Sequence, residues 1–214
     1  MSKRNRRARP QHMDGADPNI QLELGYIARH EREIRQCHRG AVLWLTGLPG
    51  SGKSTLAKAL ERKLHDQACN VVVLDGDNIR HGLCTDLGFS PKDRAENIRR
   101  LAHAARLMLD AGMICIVAAI SPYESDRETA RAIVGKDDFS EIFVFCPLEL
   151  CQQRDPKGLY KRVAKGEIAS FTGFDLPYEP PPQPDLQIDT SALSVLDESE
   201  LVLELLRSKG VVAQ

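Results

Sequence analysis

Eight consecutive residues, Gly47, Leu48, Pro49, Gly50, Ser51, Gly52, Lys53 and Ser54, satisfy the pattern G-x-x-x-x-G-K-[ST] in full, and Thr55 follows. An apolar run at 41–45 precedes the pattern and a helical periodicity (Leu56, Leu60, Leu64) follows it, which is the context the pattern requires. Glycines let successive backbone N–H groups turn inward and cradle phosphate oxygens. A helix starting near Lys53 adds the positive end of its dipole. Lys53 is then expected to reach the outer phosphates, and the Ser54 hydroxyl to ligate Mg²⁺. The chemistry implied is binding of a nucleoside triphosphate.

A second stretch carries charge of both signs: Asp75, Gly76, Asp77, Asn78, Ile79, Arg80, His81. A glycine between two aspartates suits a tight turn. Parallel sheets bind ligands beyond the carboxyl ends of their strands, so this stretch faces the phosphate loop. Asp75 or Asp77 can polarise an acceptor hydroxyl or orient Mg²⁺ and its waters. Arg80 can hold an anionic group on the acceptor. Arg94 and Asn97 lie three apart on a predicted helix and share a face. Phe89 is an aromatic in a polar loop of a chain with only 5% aromatic residues, so it is expected to meet a flat ligand rather than to fill space. The acceptor these residues describe is small, anionic and aromatic.

Two other uses of a phosphate loop fit less well. A switch GTPase or motor ATPase usually carries a metal-binding acid after its third strand, where this chain has Ala118, Ala119, Ile120, Ser121 and Pro122. A guanine-reading [NT]-K-x-D is missing, because Gly135 stands first in the nearest candidate. A small-molecule kinase fits best. A kinase acting on another nucleotide or a sugar acid, and a non-catalytic nucleotide-binding regulator, are the alternatives.

The elements that must hold these residues follow from periodicity. Apolar runs at 41–45, 69–74, 113–120, 141–145 and 185–189 read as strands. Helical patterns cover 54–67, 91–111, 124–134, 147–154 and 195–209. Continuous apolar strands alternating with helices imply an α/β fold, a parallel five-stranded sheet of the P-loop NTPase type with helices on both faces. Residues 155–184 are rich in Gly, Pro, Lys and Arg and poor in core pattern, and a connection of that length is expected to be a lid. Residues 39–214 form the domain. Residues 1–38 read as a basic, flexible extension with a short leading helix within 29–39.

The 214 residues suffice for one good core, and a formal net charge of -1 argues against nucleic acid as a partner. No apolar run is long enough for a membrane span. Six cysteines without a C-x-x-C pair, several inside apolar strands, suit a reducing cytoplasm and no structural zinc.

Taken together, 47–55, 74–83, Leu87 to Ser90, Asp93 and Arg94 with 96–100, Ile120 to Tyr123, Arg154 to Tyr160, Phe171 to Gly173 and Pro177 to Glu179 resemble the adenylyl-sulfate kinase family in order and spacing. The resemblance implies MgATP-dependent phosphorylation of the 3′-hydroxyl of adenosine 5′-phosphosulfate. It implies that Arg80, Arg94 and Asn97 hold the phosphosulfate and neighbouring ribose, and that Phe89 and Phe171 sandwich adenine. Asp75 and Asp77 would lie beside the reacting hydroxyl and the metal. Arg154 and Lys157 would begin a lid over both nucleotides. Ser121 sits in a motif whose serine has been described as phosphorylated in family members; in-line transfer between two bound nucleotides needs no such step, which leaves Ser121 lining the acceptor pocket. The resemblance also implies a homodimer and allows association with an ATP sulfurylase. Four departures stand out: Pro49 for a serine, Ala119 for a phenylalanine, Cys84 for a polar residue, and no Trp-His stretch before residue 39.

Overall fold

The computed structural model describes residue 23, residues 25–168 and residues 171–213; the basic stretch 1–10 lies outside the described residues. Strands β1 (Ala41–Thr46), β2 (Val71–Asp75), β3 (Ile114–Ala118), β4 (Phe139–Phe145) and β5 (Leu186–Asp189) form one sheet in the order β2-β3-β1-β4-β5. Every pairing is parallel. The helices are α1 (Arg29–Gln36), α2 (Lys53–Asp66), α3 (Gly76–Ile79), α4 (Pro91–Asp110), α5 (Glu124–Val134), α6 (Leu148–Arg154), α7 (Leu159–Ala164) and α8 (Val195–Ser208).

Alternation along β1 builds two cores at once. Leu43 and Leu45 pack with Leu56, Leu60 and Leu64 of α2 and with Val202 and Leu206 of α8. Val42 and Trp44 point the other way, against Ile98, Leu101 and Ala105 of α4 and Ala130 and Val134 of α5. With both faces covered, β1 is buried along its whole length. By contrast β2, expected to be buried, is half-buried throughout, because it is an edge strand with a single neighbour, β3.

Local signals set the ends of α4. The Ser90 hydroxyl accepts from the Asp93 N–H at 3.2 Å, and Pro91 occupies the first turn, where its missing N–H costs nothing. Ile98, Leu101 and Ala105 pack on the sheet, and Arg94 and Asn97 on the same helix are buried at the cleft.

One sequence expectation is corrected here. The Asp75–Gly76–Asp77 stretch is not a tight turn but the start of α3, since the Asp75 carboxylate accepts from the Asp77 N–H at 3.0 Å and caps a single helical turn. Residues 155–184, poor in core pattern, nevertheless contribute buried side chains to a core. They contain α7, and Tyr160, Val163 and Phe171 are buried with Cys146 and Cys151 in a small third core.

Candidate active site

The phosphate loop leaves β1 at Thr46 and enters α2 at Lys53. At Gly47, with φ of +152°, an added Cβ would stand 2.4 Å from the Val144 carbonyl oxygen, so only glycine lets the chain pass β4 there. The far side of the loop is held by side chains remote in sequence. Tyr160 donates its hydroxyl to the Pro49 carbonyl at 3.0 Å, and Thr190 donates to the Ser51 carbonyl at 2.9 Å. Arg154 in turn donates to the Thr190 hydroxyl and carbonyl, at 3.0 and 2.7 Å. The Lys53 ammonium donates to the carbonyls of Gly47 and Leu48 at 2.9 and 2.8 Å. Burial pulls its pKa down to about 8; nearby Lys157 adds to the shift, and Asp75 and Asp77 oppose it.

Beside Lys53 the Ser54 hydroxyl donates to Asp75 Oδ2 at 2.6 Å. Hydroxyl and carboxylate oxygens at such range are the donor set a small hard cation takes, with waters completing its shell. Two residues on, Asp77 is ion-paired with Lys157 from the segment after α6.

A cationic wall lies on the α3–α4 side. Arg80 donates to the carbonyls of Leu87 and Gly88 at 3.2 and 2.9 Å, and its guanidinium sits 4.5 Å over the Phe89 ring. Arg94 donates from Nε to the Phe89 carbonyl at 2.9 Å and from Nη1 to Thr172 Oγ1 at 3.4 Å. Phe89 is 59% exposed although both guanidinium groups lie near its ring, which leaves it accessible to a planar partner. Asn97 is buried, and its Oδ1 has no hydrogen-bond partner among the described residues. A buried acceptor of this kind calls for a donor from a ligand or water.

Ser121 closes the floor. It is buried at φ of +39°, its Oγ accepts from Trp44 Nε1 at 3.1 Å, and its carbonyl accepts from Arg127 Nη1 at 2.9 Å. Among the described residues no side-chain base stands within hydrogen-bond reach of that hydroxyl; it donates to the Ala119 carbonyl at 3.4 Å.

Lys53, Ser54, Asp75, Asp77, Arg80, Phe89, Arg94, Asn97, Ser121, Arg154 and Lys157 all line one cleft of about 700 Å³. Pro49, Gly50, Gly52 and Thr55 line it too, whereas Leu48 faces a separate, smaller apolar groove. Phe171 does not reach the cleft wall. It packs edge-to-face on Tyr160, ring centroids 5.0 Å apart, within the small third core. Tyr160, Thr190, Leu193, Val195 and Glu198 also line the cleft, and the sequence assigns none of them a role there. The carboxyl-end rule, applied to β5 as well as β2, points to Thr190 and the loop after it.

Fold and cleft together define a phosphate-loop kinase of small molecules, with a triphosphate end and an anion-binding end in one depression. The chain belongs to the adenylylsulphate kinase family, whose model matches residues 39–189. A probable adenylyl-sulfate kinase of Bacillus subtilis is 47% identical over 196 residues, covering 92% of this chain and 98% of that protein. The structure of the Mycobacterium tuberculosis APS kinase CysC in complex with AMPPNP and APS superposes with a TM-score of 0.77 at 48% identity, covering 79% of this chain and 99% of that one. The hexameric APS kinase from Thiobacillus denitrificans gives a TM-score of 0.63 at 31% identity, covering 86% of this chain and 32% of the other.

Proposed function

We propose that the protein transfers the terminal phosphoryl group of ATP to the 3′-hydroxyl of adenosine 5′-phosphosulfate (APS), giving 3′-phosphoadenosine 5′-phosphosulfate in sulfate assimilation. The observation that carries this reading is the continuity of the cleft, from Lys53 and Ser54 to the Arg80–Phe89–Arg94–Asn97 wall. A relative 48% identical holds AMPPNP and APS at once.

The chemistry follows from the residues present. The 3′-oxygen attacks the γ-phosphorus in line, the bond from that phosphorus to the β,γ-bridging oxygen breaks, and ADP leaves. Asp75 or Asp77 accepts the hydroxyl proton. Lys53 offsets the charge that builds on the outer phosphates. Arg80 and Arg94 hold the phosphosulfate, Asn97 Oδ1 accepts from a donor on the acceptor nucleotide, and the accessible Phe89 ring stacks on its adenine. Arg154 binds the ATP side. Lys157 ties the lid to Asp77, and a closed lid excludes the water that would otherwise hydrolyse ATP.

Magnesium fits this site: Ser54 and Asp75 would hold it, and when bound it would neutralise charge on the phosphates. Transfer is direct on this reading, because the Ser121 hydroxyl accepts from Trp44 and donates to the Ala119 carbonyl, with no side-chain base in reach among the described residues. Pro49 costs the phosphate loop no N–H that is needed, and Ala119 leaves space in the wall. The reading extends to a cytoplasmic enzyme, consistent with six free thiols, that works as a homodimer and can associate with an ATP sulfurylase. Light scattering on the purified protein separates dimer from hexamer.

The deciding assay supplies APS and MgATP and looks for the 3′-phosphorylated product with stoichiometric ADP. ADP released only with another acceptor makes the protein a different small-molecule kinase. No ADP with any acceptor makes it a nucleotide-binding regulator.

A further inference from the structure

We infer that Tyr178, acting through Thr46, is a positioning residue that couples the docked lid to the acceptor wall of the cleft. The inference deepens the reading above, since it takes the Ile120–Pro122 wall as the acceptor's.

The carboxyl end of the lid is fastened to that wall by three contacts. The Tyr178 and Thr46 hydroxyls lie 3.0 Å apart. Thr46 Oγ1 donates to the Ile120 carbonyl at 2.7 Å, with the Ser121 carbonyl 3.4 Å away. A hydroxyl has one proton to give, so the Thr46 oxygen must receive its contact from Tyr178. A directed chain results, from the Tyr178 O–H to the Thr46 O–H to the Ile120 carbonyl, and each bond polarises the next. Burial raises the Tyr178 pKa to about 12, so the phenol keeps its proton at any ordinary working pH. The next residue supplies the other two contacts. Glu179 donates its N–H to the Pro122 carbonyl at 2.8 Å, and its carboxylate accepts from the Glu124 N–H at 2.7 Å.

The wall needs this support. Ser121 holds a left-handed backbone, which persists in a residue other than glycine only where the surroundings over-determine it. From below it is held by Trp44 and by Arg127, itself paired with the buried Glu141 at 2.7 Å. From above, the residues on either side of it are held by the lid. Thr46 is also the last residue of β1, directly before Gly47. One hydroxyl therefore joins lid, phosphate loop and acceptor wall, and a lid that lifts Tyr178 slackens the wall.

The test compares Tyr178→Phe, Thr46→Val, the double variant and the exposed Glu179→Ala. The phenyl ring of Tyr178→Phe can keep its stacking on Phe143. Loss of one hydrogen bond in the chain is expected to raise the KM for APS about fivefold in either single variant, with the KM for ATP nearly unchanged. The double variant should be no worse than the worse single, because either change breaks the same chain. Glu179→Ala should raise the KM for APS about twofold by loosening the second tie. Trp44 is the single tryptophan, so its indole N–H gives one NMR signal that reports the Ser121 contact without substrate. That signal should shift and exchange faster in Tyr178→Phe. A purely structural Tyr178 would lower Tm and leave both KM values alone. An unmoved indole signal, an unchanged KM for APS, or multiplying effects in the double variant overturns the coupling. A wild type inert toward APS overturns the functional reading instead, and the indole signal still decides the coupling.

Discussion

The two ends of the cleft are built on different plans. At the donor end the surface is built around one short loop, and that loop is wedged in place: a Cβ at Gly47 would strike Val144, and one at Gly50 would stand 2.9 Å from the Cys151 carbonyl. At the acceptor end the surface is side chains gathered from α3, α4, the β3 terminus and the segment after α6, and a Cβ at Gly166 in that segment would meet nothing within 4 Å. A backbone site is rigid because neighbouring peptides cannot move independently. A side-chain site can open, at the cost of depending on contacts far away in sequence.

This contrast orders the expected effects of substitution. Lys53→Ala should be the most severe, lowering kcat roughly 10²- to 10³-fold, the scale seen when a fixed electrostatic stabiliser is removed. A variant active within a few-fold of wild type would show that the loop's N–H groups suffice alone. Lys53 also gives the donor end a pH signature. Its pKa in the folded protein is lowered to about 8, so the ammonium is lost as pH rises through 8 while the unfolded chain still holds that proton up to about 10.5. The unfolded state then binds more protons, and this residue's contribution to stability rises between those values. Below pH 8 both states are protonated and the burial cost is constant. Activity runs the other way: kcat/KM for ATP should fall above pH 8. Urea melts and initial rates across pH 7–10 check the opposed signs.

Gly47→Ala should come next. It forces backbone strain of roughly 1–3 kcal/mol or displaces β4, and isothermal titration with ATP should register a loss of affinity of that size. Gly166→Ala, strained only through its own φ of +74°, should leave ATP binding within about twofold. Equal losses would erase the distinction between the two ends.

Arg94→Ala belongs to the acceptor end. Losing charge-assisted hydrogen bonds worth about 1.5–3 kcal/mol should raise the KM for APS about tenfold or more and leave the KM for ATP within twofold. A matching rise for both nucleotides would mean that Arg94 only props the fold. Ser121→Ala should affect turnover far less than Lys53→Ala. The change strands the Trp44 N–H, which costs about 1–3 kcal/mol of stability in a thermal melt, yet turnover should stay within about tenfold of wild type. Radiolabel from γ-labelled ATP should not remain on the denatured protein. Label trapped on wild type but not on the variant would establish a phosphoserine route.

Much of this site is legible in the chain. Type, spacing and strand-end placement point to Lys53, Ser54, Asp75, Asp77, Arg80, Arg94 and Asn97, and these line the cleft, whereas Gly47, Leu48 and Ser51 of the phosphate loop do not. The misses share a cause. Thr190 reaches Ser51 across 139 residues and Tyr178 reaches Thr46 across 132, separations at which no periodicity operates. Asp75 was misread as part of a turn because capping depends on a carboxylate finding an N–H two residues on, which spacing alone does not distinguish from a reversal. Phe171 was expected beside Phe89, but burial beside Tyr160 competes with exposure to a ligand, and burial prevailed.

Local order, then, was written in the chain: the alternation of strand and helix, the cradle of N–H groups and the signs of charge at the strand ends, since each depends on a handful of adjacent residues. Only the folded molecule decided that β2 is an edge, that Ser121 is pinned in a left-handed backbone, and that Tyr178 meets the end of β1 through a hydroxyl. Those outcomes depend on which distant groups win a shared neighbour, and that competition for burial and for hydrogen-bond partners is settled by the whole chain at once.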